Sequence, residues 1–203
     1  MSDSFELLSR HELSRRREEL LSRIRRRYDI VEEPLLIGPL RITFTRVKDP
    51  NRVLDEVCAE EDSREKQSGE RHEGDDLHLP YWAELWDSAI GVGYFLVESY
   101  TNFLAGPLAG RVHLRSKQPG PQAGRLKVLD LGCGMGLAGT IAAAMGHQVL
   151  LADIETPALL FAKLNTLAYA RRVRICKLNW QRDHLGEQFD LVLGADVLYE
   201  RAQ

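Results

Sequence analysis

A glycine-rich segment at residues 130–136 constrains the fold of this chain more than any other feature. It reads DLGCGMG and lies between the apolar run LKVLDL and the helix-forming run LAGTIAAAMG. Glycines let a backbone turn sharply and approach a ligand closely, because no Cβ atom intervenes. A further apolar run, HQVLLAD, ends at Asp153. The order strand, glycine turn, helix, strand and acid predicts an α/β fold that binds an adenosine-containing cofactor, with Asp153 on the ribose hydroxyls.

Strand-like and helix-like runs alternate through the rest of the C-terminal part. Residues 156–170 predict a helix, residues 172–180 a third strand and residues 189–196 a fourth. Near-continuous apolar strands separated by helices are typical of a parallel sheet covered on both faces. We therefore predict a Rossmann-like, doubly wound and mostly parallel sheet with the strand order 3-2-1-4. Such sheets normally continue past the fourth strand, so we expect the chain to be truncated there.

The first 78 residues predict an α+β appendage to this domain. Residues 1–28 have apolar residues at near-helical spacing among many arginines, and residues 34–47 predict short paired strands around a Gly-Pro turn. A short helix is expected at residues 51–60. Residues 61–76 are almost wholly charged or polar, which predicts a linker to the main domain at residues 79–203.

The start of the main domain predicts a further helix. Asp87 or Ser88 is expected to cap it, because short polar side chains are favoured at that position. Its apolar face would consist of Ile90, Val92, Phe95 and Leu96.

Composition excludes several classes of protein. The formal net charge is −3, whereas a nucleic-acid binder usually carries a strong basic excess, so no nucleic-acid partner is expected. No apolar run approaches the roughly 18 residues that span a bilayer, so no membrane partner is expected. The cysteines and histidines show no metal-ligand spacing. Three scattered cysteines without a disulfide framework predict a soluble protein in a reducing, cytoplasmic setting.

A dinucleotide site is an alternative interpretation of the glycine turn. Gly134, Gly136 and Gly139 match the pattern G-x-G-x-x-G, and Asp153 lies near the usual offset from it. However, the first strand is expected to end at Leu131, so the turn begins two residues early for that register. An NAD-dependent oxidoreductase therefore remains the more distant possibility.

Three further segments favour a different cofactor. They are YWAELWDSA at residues 81–89, NW at residues 179–180 and GADVLYE at residues 194–200. Together with the glycine turn, they resemble the seven-β-strand (class I) S-adenosylmethionine-dependent methyltransferases. The likeness is to the methyltransferase-16 family of protein-lysine methyltransferases, including the relatives that modify the electron-transfer flavoprotein β subunit. It covers roughly residues 79–203, and its most specific part is the D-x-x-Y element of Asp196 and Tyr199.

The resemblance implies S-adenosyl-L-methionine as the cofactor and assigns residues to it. Aromatic faces can stack on adenine or attract a sulfonium cation, and a small residue leaves room beside a strand end. Core packing is the alternative role for each tryptophan. The implied cofactor-binding residues are Trp86, Gly132, Cys133, Gly134, Gly136, Asp153, Trp180 and Ala195.

The resemblance also assigns Asp196 and Tyr199 to the substrate side as catalytic residues. An acid and a phenol there could hold a lysine ammonium and orient its nitrogen. The alternative for Asp196 is that it caps the loop after the fourth strand. The implied function is an S-adenosylmethionine-dependent N-methyltransferase that acts on a lysine of a protein. A small-molecule amine methyltransferase and a non-catalytic domain that binds cofactor or a partner remain open.

Overall fold

A computed structural model describes residues 9–68, 79–100 and 125–197 of the 203-residue chain. Within these ranges the strands form a two-stranded hairpin and a four-stranded sheet. No helix in the same ranges is long and apolar enough to cross a membrane.

The N-terminal elements match the sequence prediction in type and order. Helix α1 spans Arg10–Arg25 and begins at a capping box in which Ser9 and Glu12 bond each other's backbone N–H groups. Strands β1 (Ile30–Ile37) and β2 (Leu40–Val47) pair antiparallel. The turn between them contains Gly38 with φ of +55°, a conformation that glycine adopts most readily.

Helix α2 spans Pro50–Ser68 and extends well beyond the expected residues 51–60. The first eight residues of the predicted linker are therefore helical. Glu, Arg and Lys are good helix formers, and a salt bridge of 2.8 Å joins Arg64 Nη1 to Glu61 Oε2 one turn apart. A charged composition excluded burial of this segment but did not exclude a solvated helix.

The segment before the sheet contains a 3-10 turn at Tyr81–Ala83, helix α3 at Asp87–Tyr94 and a π-helical turn at Phe95–Tyr100. The N-cap residue of α3 is Trp86, without a side-chain capping bond, so the predicted cap at Asp87 or Ser88 is wrong. Phe95 is 53% exposed whereas Leu96 is fully buried. The Phe95 N–H still bonds the Gly91 carbonyl, and Gly91, one turn earlier, is also exposed, so the α-helical period itself places Phe95 on the solvent side.

The C-terminal part alternates strands and helices. They are β3 (Lys127–Leu131), α4 (Leu137–Ala144), β4 (Gln148–Asp153), α5 (Thr156–Asn165), β5 (Val173–Lys177) and β6 (Leu191–Leu193). All three strand pairings are parallel, and the order across the sheet is β5-β4-β3-β6. This order confirms the predicted α/β architecture and the arrangement 3-2-1-4.

Side-chain alternation along the strands divides the core between the two faces of the sheet. Val128 and Leu151 join the large cluster that includes α4 and α5. Leu129, Leu150 and Ala152 point to the opposite face and form a smaller cluster with Leu178.

The N-terminal elements share the large cluster with the sheet. Ile24 of α1, Phe44 of β2 and Phe161 of α5 are all fully buried in it. The rings of Tyr28 and Phe161 both lie against Trp82, with centroid distances of 5.3 and 5.7 Å. One hydrophobic core therefore connects residues from both sides of the predicted division at residue 78.

Phe161 offers a test of this shared core. We expect Phe161→Ala to lower the free energy of unfolding by about 3–5 kcal/mol, because it leaves a cavity among aromatic rings. Leu36→Ala is the control, since Leu36 is 63% exposed and its loss should change stability by less than about 0.5 kcal/mol. Urea denaturation measures both values. Similar small losses in the two variants would contradict the packing described.

Candidate functional site

The glycine turn follows β3 directly, as the sequence predicted. Gly132, Gly134 and Gly136 have φ values of +61°, +52° and +85°. Residues with a Cβ atom rarely adopt such angles, so this backbone path depends on glycine at alternate positions. The Gly136 N–H donates to the carbonyl of Cys133 at 2.8 Å, and α4 begins at the next residue.

The three glycines face different surroundings. A Cβ atom on Gly132 would lie 2.6 Å from Val197 Cγ1, and one on Gly136 would lie 2.9 Å from Ala162 Cβ. A Cβ atom on Gly134 would meet nothing closer than the Trp82 carbonyl oxygen at 3.8 Å. Two glycines therefore permit close packing, whereas Gly134 leaves bare backbone beside open space that a ligand can occupy.

Asp153 is fixed against this turn at the end of β4. Its Oδ2 accepts a hydrogen bond from the Gly134 N–H at 2.8 Å, and its Oδ1 accepts one from the Glu155 N–H at 2.8 Å. Burial raises the pKa of Asp153, and hydrogen bonds from the backbone of Glu155, Gly134 and Ile154 oppose that shift. Because a carboxylate has about four acceptor positions, acceptor capacity remains for a ribose hydroxyl.

A cavity of about 320 Å³ lies beside the glycine turn and Asp153. That volume is within the usual range for small-molecule sites. The structure brings together at this cavity all the predicted site residues that lie in the described part of the chain. Tyr199 lies outside the described residues. The predicted residues that line the cavity are Trp86, Gly132, Cys133, Gly134, Gly136, Asp153, Trp180, Ala195 and Asp196.

Two of the three tryptophans present partly exposed rings at the cavity. Trp86 is 38% exposed, and its indole Nε1–H donates to the Tyr81 carbonyl at 2.9 Å. Trp180 is 39% exposed and lies on a loop closed by the Asn179 N–H bond to Asp183 Oδ2 at 2.7 Å. Trp82 is only 8% exposed, so its ring serves mainly as core.

Cys133 contributes backbone to the site and has an unreactive thiol. Burial raises the pKa of this thiol well above its ordinary value, which keeps it protonated and non-nucleophilic. Its N–H donates to the Ala152 carbonyl at 3.0 Å and continues the pairing of β3 with β4.

Asp196 follows β6 with a φ of +50°, the one positive value recorded for a residue other than glycine in the described chain. Aspartate tolerates this left-handed region better than most residues. Its carboxylate is exposed at the cavity and accepts a hydrogen bond from the Ser88 hydroxyl in the first turn of α3. Sequence reasoning assigned Ser88 to a helix cap and missed this contact, which no local pattern encodes.

The cavity lining is acidic. Among the described residues that line it are five carboxylic acids and no Lys, Arg or His; the acids are Glu84, Asp130, Asp153, Glu155 and Asp196. Sequence reasoning had not combined Glu84 and Glu155 with the others. Carboxylates concentrated in one cavity favour a cationic ligand and disfavour an anionic one.

Asp130 is the most deeply buried of these acids, at 2% exposure. Burial raises its pKa to about 7, although a 2.8 Å hydrogen bond from the Gly139 N–H to its Oδ2 acts in the opposite direction. The carboxyl group is therefore partly protonated at neutral pH. A cation bound nearby would favour its ionised form.

The fold and the cavity together define a Rossmann-like domain with a cofactor site at the carboxyl ends of its strands. A sequence profile described as lysine methyltransferase matches residues 80–203. Because that match covers more than half of the chain, the chain belongs to the lysine methyltransferase family. This membership confirms the resemblance found in the sequence, and it makes S-adenosylmethionine the cofactor of the domain.

Curated relatives agree with this assignment. Protein N-lysine methyltransferase METTL21A of Danio rerio is 32% identical over 125 residues, which cover 58% of this chain and 48% of that protein. EEF1A lysine methyltransferase 3 of Mus musculus is 38% identical over 80 residues, which cover 36% of this chain and 33% of that protein. The matches span about half or less of the length of these relatives.

Solved structures with partial likeness include two methyltransferases. Magnesium protoporphyrin IX methyltransferase from Synechocystis PCC 6803 with bound SAH has a TM-score of 0.38 and 21% identity, and the match covers 74% of this chain and 59% of that one. A TehB-like SAM-dependent methyltransferase from Corynebacterium glutamicum has a TM-score of 0.31 and 23% identity, with coverages of 52% and 55%.

Asp130 makes the stability of the domain depend on pH. Its pKa is about 7 in the folded protein and about 4 in an unfolded chain. Between these values the folded state binds more protons than the unfolded state, so the free energy of unfolding falls as the pH rises from about 4 to about 7.

We expect Asp130→Asn to remove this contribution. The free energy of unfolding of the variant, relative to that of wild type, should therefore increase when the pH is raised from 5 to 8. Urea denaturation at both pH values measures the change, and Asp55→Asn on the exposed side of α2 is the control. An identical pH dependence in Asp130→Asn and wild type would contradict the buried, proton-binding carboxyl group.

Proposed function

We propose that this protein is an S-adenosylmethionine-dependent N-methyltransferase that acts on a lysine side chain of a protein. The observation that carries the proposal is the acidic cavity beside β3, where bare backbone at Gly134 faces the fixed carboxylate of Asp153. The neighbours of β3 are β4 on one side and β6 on the other. This is the switch point of an open α/β sheet, where ligands bind beyond the carboxyl ends of the strands.

The charge of the cavity supports this cofactor over a dinucleotide. S-adenosylmethionine, when bound, supplies a reactive methyl group on a positively charged sulfur. The acidic lining favours that charge, and the exposed faces of Trp86 and Trp180 can attract it or stack on the adenine ring. A dinucleotide would instead bring an anionic pyrophosphate among carboxylates. Asp153 would hold the ribose through its free acceptor positions.

Asp196 is proposed to hold the acceptor amine. Its carboxylate is exposed at the cavity and is oriented by the Ser88 hydroxyl. Tyr199, which the family resemblance assigns to the same side, would help to orient the nitrogen. The main catalytic contribution of these residues is alignment of the acceptor nitrogen with the methyl group.

The acceptor must lose a proton before it reacts. A free lysine has a pKa of about 10.4, so the neutral amine is scarce at pH 7. Burial beside Trp86 and Trp180 lowers that pKa, whereas the Asp196 carboxylate raises it. Asp196 therefore serves for binding and alignment, and proton loss to water can precede the reaction.

The relatives support a protein acceptor, because both are named for transfer to lysine and one of them for EEF1A. We also propose a cytoplasmic location. The free state of Cys58, Cys133 and Cys176 agrees with a reducing compartment.

The cofactor assignment is tested by calorimetric titration with S-adenosylmethionine, S-adenosylhomocysteine and NAD. We expect Asp153→Ala to weaken S-adenosylmethionine binding at least about tenfold, as follows from losing charged hydrogen bonds of about 1.5–3 kcal/mol. Asp153→Asn retains the acceptor for the Gly134 N–H and should show a smaller loss. Wild-type affinity in Asp153→Ala would contradict the ribose role, and heat from NAD alone would contradict the cofactor.

Radiolabelled methyl transfer into a cell lysate tests the acceptor. We expect label in the protein fraction, with purified EEF1A as a defined acceptor to compare. Label confined to metabolites would instead favour a small-molecule amine. Cofactor binding without any transfer would favour a non-catalytic domain.

The same assay tests the pair of Ser88 and Asp196. We expect Asp196→Ala to abolish transfer with little change in the Kd for S-adenosylmethionine. Ser88→Ala should lower kcat about tenfold because the carboxylate loses its orientation, and Ser88→Thr should restore it by keeping the hydroxyl. Parallel losses of cofactor affinity and transfer in Asp196→Ala would place Asp196 on the cofactor side.

A further inference from the structure

Asn165, the last residue of α5, bonds two segments that are far apart in the sequence. Its side chain is 7% exposed. Its Oδ1 accepts from the Thr45 N–H at 2.8 Å, and its Nδ2 donates to the Thr45 carbonyl at 2.9 Å and to the Met135 carbonyl at 2.9 Å. The acceptor and both donor positions of the amide are thus engaged.

The two bonds to Thr45 repeat the pattern of a sheet. Strand β2 pairs with β1 along one edge, which leaves the other edge with N–H and C=O groups that need partners. The amide of Asn165 meets Thr45 as the peptide group of a neighbouring strand would. The N-terminal hairpin is therefore joined to α5 by directional bonds as well as by apolar packing.

The third bond reaches the cofactor turn. Met135 lies between Gly134 and Gly136, both of which have positive φ. A turn of this kind needs tertiary contacts to hold one conformation, because glycine loses much conformational freedom when it becomes ordered. The bond from Asn165 Nδ2 fixes the carbonyl at the centre of the turn.

The hairpin also packs against the cavity lining. Phe44, the residue before Thr45, is fully buried and borders the cavity. Phe44 lies outside residues 80–203, which match the family profile. Family membership alone therefore assigns the hairpin no part in the site.

We infer that Asn165 is a positioning residue that makes the N-terminal hairpin part of the cofactor site. This inference rests on the proposed binding of S-adenosylmethionine. Ordering of the hairpin and ordering of the turn share one buried amide, so each stabilises the other. By linkage, cofactor binding at the turn then stabilises the hairpin, and loss of the amide weakens cofactor binding.

Variants of Asn165 separate positioning from stability. Asn165→Ala removes all three bonds, whereas Asn165→Asp keeps the acceptor for the Thr45 N–H and loses both donors. The control is Thr166→Val, because Thr166 is 2% exposed and its hydroxyl donates to the Ala162 carbonyl of the helix that Thr166 ends. We expect the Kd for S-adenosylmethionine to rise about tenfold in both Asn165 variants and less than twofold in Thr166→Val, all measured below each variant's Tm.

Hydrogen exchange on the wild-type protein provides a test that needs no variant. Saturating S-adenosylmethionine should slow amide exchange in residues 40–47 as well as in residues 132–136, with the exposed helix α2 as the reference. The inference would be overturned if only the turn is protected and the Asn165 variants bind S-adenosylmethionine as tightly as Thr166→Val does. That result would leave the proposed function intact. Absence of any binding by the wild-type protein would overturn both.

Discussion

A left-handed turn at alternate residues after β3 is the constraint on which the rest of this structure depends. Gly132, Gly134 and Gly136 have positive φ there, and they adopt it without the steric cost that a Cβ atom would add. Two side chains from outside the turn then hold it. The Asp153 carboxylate accepts a hydrogen bond from the Gly134 N–H, and the Asn165 amide donates one to the Met135 carbonyl. Because Asp153 ends β4, the register of two parallel strands fixes the position of the acid relative to the turn.

The acidic lining and the turn belong to one arrangement. Asp153 is the last residue of β4, and Asp130 is the last but one of the adjacent β3. Each accepts a hydrogen bond from a backbone N–H that follows β3. Burial raises the pKa of each, and a bound cation would favour the ionised form of both acids. The same groups that order the backbone thus also favour the charge of the cofactor.

The sequence predicted the parts of this site that depend on local chemistry. A positive φ almost demands glycine, and an acid directly after an apolar strand must lie at the carboxyl end of the sheet. The spacing of residues 130–153 was therefore enough to predict the turn and the position of Asp153 beside it, whereas the strand order was predicted from the alternation of strands and helices through residue 196. The roles of Trp86, Trp180 and Ala195 came from family resemblance, and they stay predictions, as does that of Tyr199 outside the described residues.

Contacts between distant segments could not be predicted in this way. Ser88 resembles a helix cap in sequence, yet its hydroxyl bonds Asp196, 108 residues away. Thr45 and Asn165 are 120 residues apart. Periodicity reports which face of an element is apolar, but it does not report which other element covers that face.

The shared core of α1, β2 and α5 shows that the start of the family match is not a boundary of the packed core. The lysine methyltransferase profile matches from residue 80 onward, yet buried apolar contacts join residues on both sides of that position. Folding cooperativity follows such contacts and not the limits of homology. The residues before and after position 80 should therefore unfold together in a single thermal transition.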